Sequence, residues 1–227
     1  MIDHRAELEA CVDPKYRDFM SGLIPGKEGV MGVRVPDLRR IAKMIIKDDW
    51  ESFLEGIPET YEEELLHCLV IATAPMSTKE RIARTEGFLP YVDNWATNDM
   101  FCQSWKFPKE DAEAVHSYFA SLIDSGDEFR MRVSLIMRMS HFMDDAHVDR
   151  LIEDILSYDN EGYYYRMGAA WALSVCYVHF PDRTEPAMLS DRLNDDVRRK
   201  ALQKIRDSYR VDKADKDRLR DLVWQLR

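Results

Sequence analysis

Several things are scarce in this 227-residue sequence, and each scarcity removes a class of protein. No stretch approaches the ~20 apolar residues that cross a bilayer. The opening Met1-Ile2-Asp3-His4-Arg5-Ala6-Glu7 lacks the basic start and apolar run of an export signal. The expectation is a soluble, cytoplasmic protein. Cysteine is sparse: Cys11, Cys68, Cys102 and Cys176 are scattered, with no C-x-x-C pair and no His at ligand spacing beside them. They read as reduced, mostly buried small hydrophobes. The nearest approach to a metal pattern is Glu63 with His67 at i, i+4, a pairing any acidic helix produces; no metal and no cofactor are expected. Alternating strand patterns are nearly absent. Positive charge is also short, with 32 Lys and Arg against 42 Asp and Glu and a net charge of -10. That balance argues against a protein that coats nucleic acid nonspecifically, because affinity for a phosphate backbone comes largely from basic side chains displacing counterions.

What is present is material for a helical core. Hydrophobic residues make up 45% and charged residues 33% of the chain, a composition that buries a sizeable interior and solvates its surface. Ile41, Met44 and Ile45, then Trp50, Phe53 and Leu54, recur at helical spacing. So do Val133, Ile136, Met137 and Ser140, and Val197, Ala201, Leu202, Ile205 and Tyr209. Each set predicts an amphipathic helix with one buried face. Pro25-Gly26, Pro36, Pro58, Pro75, Pro90, Pro108, Ser125-Gly126, Pro181 and Asn194-Asp195 punctuate them. The reading is all-α, roughly a dozen helices with short loops and no linker, taken as one domain over residues 1–227. Periodicity alone leaves a globular bundle and an α-solenoid both open.

The segment with the most chemistry is Asp93-Asn94-Trp95-Ala96-Thr97-Asn98-Asp99-Met100-Phe101-Cys102. A helix beginning at Asp93 or Asn94 sets Trp95 and Asp99 on one face at i, i+4, an indole beside a carboxylate. Two readings stand: a core Trp with an acid complementing the helix dipole, or a site. The basic charge gathers at the other end. Residues 191–227 hold 12 Lys and Arg against 8 acids, a local balance of +4, which leaves -14 on the rest.

The Trp95/Asp99 segment resembles the W-x-x-x-D element of the AlkD-type DNA alkylation repair enzymes, HEAT-like repeat DNA glycosylases. Four other segments agree in order. Met31-Gly32-Val33-Arg34-Val35-Pro36-Asp37-Leu38-Arg39-Arg40 is similar to the family's G-[VI]-x-x-P-x-x-R element at an early helix. Phe129-Arg130-Met131-Arg132-Val133 resembles the one in which an Arg, here Arg132, opens an apolar helix. Tyr165 to Leu173 resembles the helix bearing a second active-site Trp, here Trp171, and Val197 to Ile205 the basic C-terminal helix. Each motif is weak alone; their order and spacing are more specific.

The resemblance implies an α-solenoid of HEAT-like helical hairpin repeats whose concave face holds duplex DNA. It implies a monomeric, monofunctional glycosylase that excises cationic N3- or N7-alkylpurines and leaves an abasic site. Asp99 would stabilise the positive charge that develops on the sugar as the base departs. Trp95 and Trp171 would flank that sugar with electron-rich ring faces. Arg132, Arg198, Arg199, Lys200 and Lys204 would bind phosphates. The competing readings are a non-catalytic helical-repeat scaffold for a protein partner and a lesion-sensing DNA binder that does no chemistry.

Overall fold

The computed structural model describes residues 2–224, which form fourteen α-helices and no strand. The chain divides into two compact units, residues 1–115 and 116–227, and the division falls inside a helix rather than in a linker.

The first unit holds α1 (His4–Glu9), α2 (Pro14–Leu23), α3 (Val35–Lys47), α4 (Trp50–Leu54), α5 (Tyr61–Thr73), α6 (Thr78–Phe88) and α7 (Trp95–Ser104). Local chemistry starts these helices. The Asp13 carboxylate accepts the Lys15 and Tyr16 N–H groups ahead of Pro14. Thr60 and Glu63 close a capping box on α5, the kind of cap whose loss costs about 1 kcal/mol. α5 is the hub, touching α3, α4, α6 and α7, and it is buried on every side from Tyr61 to Ala72. Its first turn buries three consecutive acids, each with a different partner. Glu62 accepts the N–H groups of Met31, Gly32 and Val33 at 2.7–3.1 Å. Glu63 takes Arg5, and Glu64 takes Lys27 Nζ at 2.5 Å. The helix N-terminus favours such charge, and the hydrogen bonds offset part of its desolvation. Gly32 is required in this loop: its φ is +94°, and a Cβ would stand 2.6 Å from the Asp13 carbonyl oxygen and the Arg17 Cβ.

α8 (Ala112–Ser121) carries the division. The second unit continues with α9 (Glu128–His141), α10 (Val148–Ser157), α11 (Tyr163–His179), α12 (Pro181–Leu189), α13 (Asp195–Asp207) and α14 (Lys213–Trp224). α11 is its hub, packed against α9, α10, α12 and α13. The single-faced reading of α9 is corrected: Met131 to Met139 are buried all round, and only Ser140 of the periodic set reaches solvent. On α13, Val197, Ala201 and Ile205 are buried as expected. Tyr209, however, lies beyond the helix end and is fully exposed. α13 is also not the last helix, since α14 follows and packs on α12 and α13. The four cysteines are free thiols, three buried and Cys11 partly exposed.

Candidate functional site

In the first unit the candidate site is built at the start of α7. Asn94 caps the helix, its Oδ1 accepting the Thr97 N–H at 2.9 Å and its Nδ2 donating to Asp93 and to the Thr97 hydroxyl. Trp95 is therefore the first helical residue and Asp99 follows one turn later on the same face. Both are half-buried. Trp95 Nε1–H donates to the Leu23 carbonyl at 2.9 Å, one of the carbonyls that the end of α2 leaves without a helical partner. That bond fixes the plane of the indole while leaving part of the ring open to solvent. Behind it Lys27 Nζ reaches Asp93 at 2.9 Å as well as Glu64, tying the residue before the cap to the buried start of α5. Burial pushes the Glu64 carboxyl up to about 7 against the pull of Lys27. Asn98, fully buried, donates from Nδ2 to Asp99 Oδ1 at 3.1 Å. Sequence reasoning passed over Asn98; its adjacency to Asp99 was the available signal.

In the second unit Trp171 is half-buried on α11. With Val175 and Val178, at i+4 and i+7, it lines a surface groove of about 700 Å³ whose other side carries Lys204, Tyr209 and Arg210. Asp207 also lines it, so two cations and one acid stand beside an aromatic and apolar floor, a balance that leaves the groove net positive and suited to a sugar–phosphate chain.

The remaining predicted phosphate contacts separate into two kinds. Arg132 is 4% exposed, and its Nη1 donates to the Tyr164 carbonyl at 2.6 Å. It lies across Gly168, where a Cβ would come within 3.2 Å of the Arg132 Cγ. Its guanidinium therefore bridges α9 to α11 inside the unit. Arg198 is 8% exposed and donates to the carbonyls of Met188, Ser190 and Leu193 at 2.9–3.0 Å, closing the C-terminal end of α12. The structure gives both arginines structural work where surface contacts were expected. Arg199 faces outward and Lys200 is half-buried; both share Asp196, at 3.5 and 2.9 Å. The Lys200 ammonium holds the Asp196 carboxyl below the usual carboxylate range. Lys200 also sits 5.9 Å over the Tyr163 ring, and Lys204 is half-buried at the groove. Arg34, outside the predicted set, pairs with Asp13.

Trp95 and Asp99 thus stand together in the first unit, while Trp171 and Lys204 line one groove in the second. The family of DNA alkylation repair enzymes matches residues 4–210. The chain belongs to that family. No curated protein matches it. Membership makes the protein a DNA alkylation repair enzyme and DNA its partner. Within the matched residues, Gly32 and Gly168 are close-approach positions, and the capped start of α7 presents Trp95 and Asp99. Among the described residues no helix is long and apolar enough to cross a membrane.

Proposed function

We propose that the protein is a monofunctional DNA glycosylase that hydrolyses the N-glycosidic bond of cationic alkylated purines, alkylated at N3 or N7, in duplex DNA. The observation that carries this reading is α7 itself. In a DNA alkylation repair enzyme, it presents a half-exposed indole pinned through its N–H and, one turn on, a carboxylate held by a buried amide.

Alkylation at a purine ring nitrogen leaves a formal positive charge on the base. When the bond from C1′ to the base nitrogen breaks, its electron pair goes to the base, which leaves neutral; no strong general acid is required. Positive charge then develops at C1′ and the ring oxygen. The Asp99 carboxylate stabilises that charge and orients the water that attacks C1′, whose proton passes to solvent and leaves an abasic site. The face of Trp95 lies against the sugar, attracts the cationic centre and excludes bulk water, and the groove floored by Trp171 takes a sugar–phosphate chain. Arg199, Lys200 and Lys204 hold phosphates and position the duplex without reading sequence. Arg132 and Arg198 support the helices from which those side chains act. Neutral damaged bases, which depart as anions unless protonated, are poor substrates on this scheme.

The test is release of free methylated base from methylated duplex DNA at low salt, native protein against Asp99→Asn. Release falls by at least about 100-fold in the variant, as for loss of one electrostatic stabiliser of a transition state, while duplex binding is retained. A native protein that binds the duplex but releases no base would refute the proposal in favour of a lesion-sensing binder.

A further inference from the structure

A second constellation, of residues given no role in the proposed chemistry, gathers around His116 on α8. His116 is buried on α8, and His147 stands at the N-cap of α10. Their rings lie 4.4 Å apart, centroid to centroid, and Phe142 packs on both at 5.1 and 5.2 Å. A ring nitrogen of His116 is within 4.8 Å of one from His147 and of a carboxylate oxygen of Glu113, one turn earlier on the same helix. Asp144 Oδ1 stands 2.7 Å from His147 Nδ1 and also accepts the Ala146 and His147 backbone N–H groups. A carboxylate there keeps the proton on Nδ1, so Nε2 carries its lone pair, which is the tautomer a metal-binding imidazole needs.

We propose that His116, His147 and Glu113 form a binding site for a divalent transition-metal ion of the zinc class, with Asp144 orienting His147. Two imidazoles and one carboxylate are a zinc donor set with a fourth position left for water. Bond lengths of about 2.0–2.1 Å put tetrahedral ligands roughly 3.4 Å apart, so small side-chain rotations close the observed spacing. Phe142 shields one side of the imidazole pair, and the Glu113 and Asp144 charges offset both the ion and the positive end of α10. The ion would staple α8 to the start of α10.

The full chain, stripped with a chelator, is titrated with Co²⁺ while visible absorption is followed. Zn²⁺ is then added in competition, and thermal unfolding is compared with and without metal. One equivalent of Co²⁺ should bind, Zn²⁺ should displace it, and the melting temperature should rise. His147→Gln should lower affinity at least tenfold, and Asp144→Asn by about 10–100-fold, as loss of a carboxylate that orients a metal-binding imidazole does. Glu113→Gln should lower affinity, and the metal-free melting temperature of each variant, measured alongside, separates ligation from folding. No stoichiometric Co²⁺ binding, or binding undiminished in all three variants, would overturn the proposal and leave only adventitious binding elsewhere.

Discussion

Replacing Arg138 with Met should be among the most damaging single changes in the second unit. The Arg138 side chain is 1% exposed and Asp154, its partner, 3%; Nη1 lies 2.5 Å from Asp154 Oδ2. Its other donors meet the Ser134 carbonyl and hydroxyl at 3.1 and 3.0 Å. Removing the guanidinium strands a buried carboxylate, a situation that costs about 3–5 kcal/mol. The lower end applies, because Arg150 keeps the other oxygen of Asp154 at 2.8 Å. A loss of about 3 kcal/mol with a urea dependence near 2 kcal/mol/M moves the midpoint by about 1.5 M. Urea titration followed by far-UV circular dichroism reads that shift. The double variant Arg138→Met with Asp154→Leu should recover most of it, since an apolar pair of similar volume replaces a buried ion pair at little cost. A single variant that loses less than about 1 kcal/mol, or a double variant no better than the single, refutes the argument that the pair is held by charge compensation.

Acidification separates two buried groups of the first unit. Burial lowers the His67 pKa to about 4, so the unfolded chain binds the extra proton first, and stability present above the ordinary value near 6.5 is lost on the way down. Between about pH 7 and about pH 4.5 that amounts to about 2 kcal/mol, and His67→Gln should abolish it. Glu64 acts in the opposite sense, because its folded pKa is raised: its contribution is present at low pH and lost as pH rises through about 7. The stability difference between pH 7 and 4.5, measured in urea, should therefore shift in opposite directions in His67→Gln and Glu64→Gln. Arg199→Ala, Lys200→Ala and Lys204→Ala should each weaken duplex binding uniformly across sequences and reduce the slope of log affinity against log salt by about 1. Arg198→Ala should instead lower the melting temperature, because it strips three backbone carbonyls of a buried donor.

Sequence by itself determined the class, the helix starts and the family. Caps are local, so Asn94, Pro36 and Asn194 mark the beginnings of α7, α3 and α13 within a residue or two. The i, i+4 spacing of Trp95 and Asp99 needs nothing beyond the helix that carries them. Tertiary structure decided whatever depends on partners distant in the chain. Arg132 and Arg199 look alike as basic residues on helices; one is sealed against Tyr164 and Gly168 and the other faces water. Periodicity shows that a helix has an apolar face but not how many neighbours surround it, which is why α9 is buried on every side where one face was expected. His116 and His147 were invisible as a pair because no local spacing links them; they meet only once α8 and the turn before α10 are folded against Phe142. Local hydrogen bonds and side-chain periods are written in adjacent residues, whereas burial and the convergence of ligands arise from contacts between residues far apart in the chain.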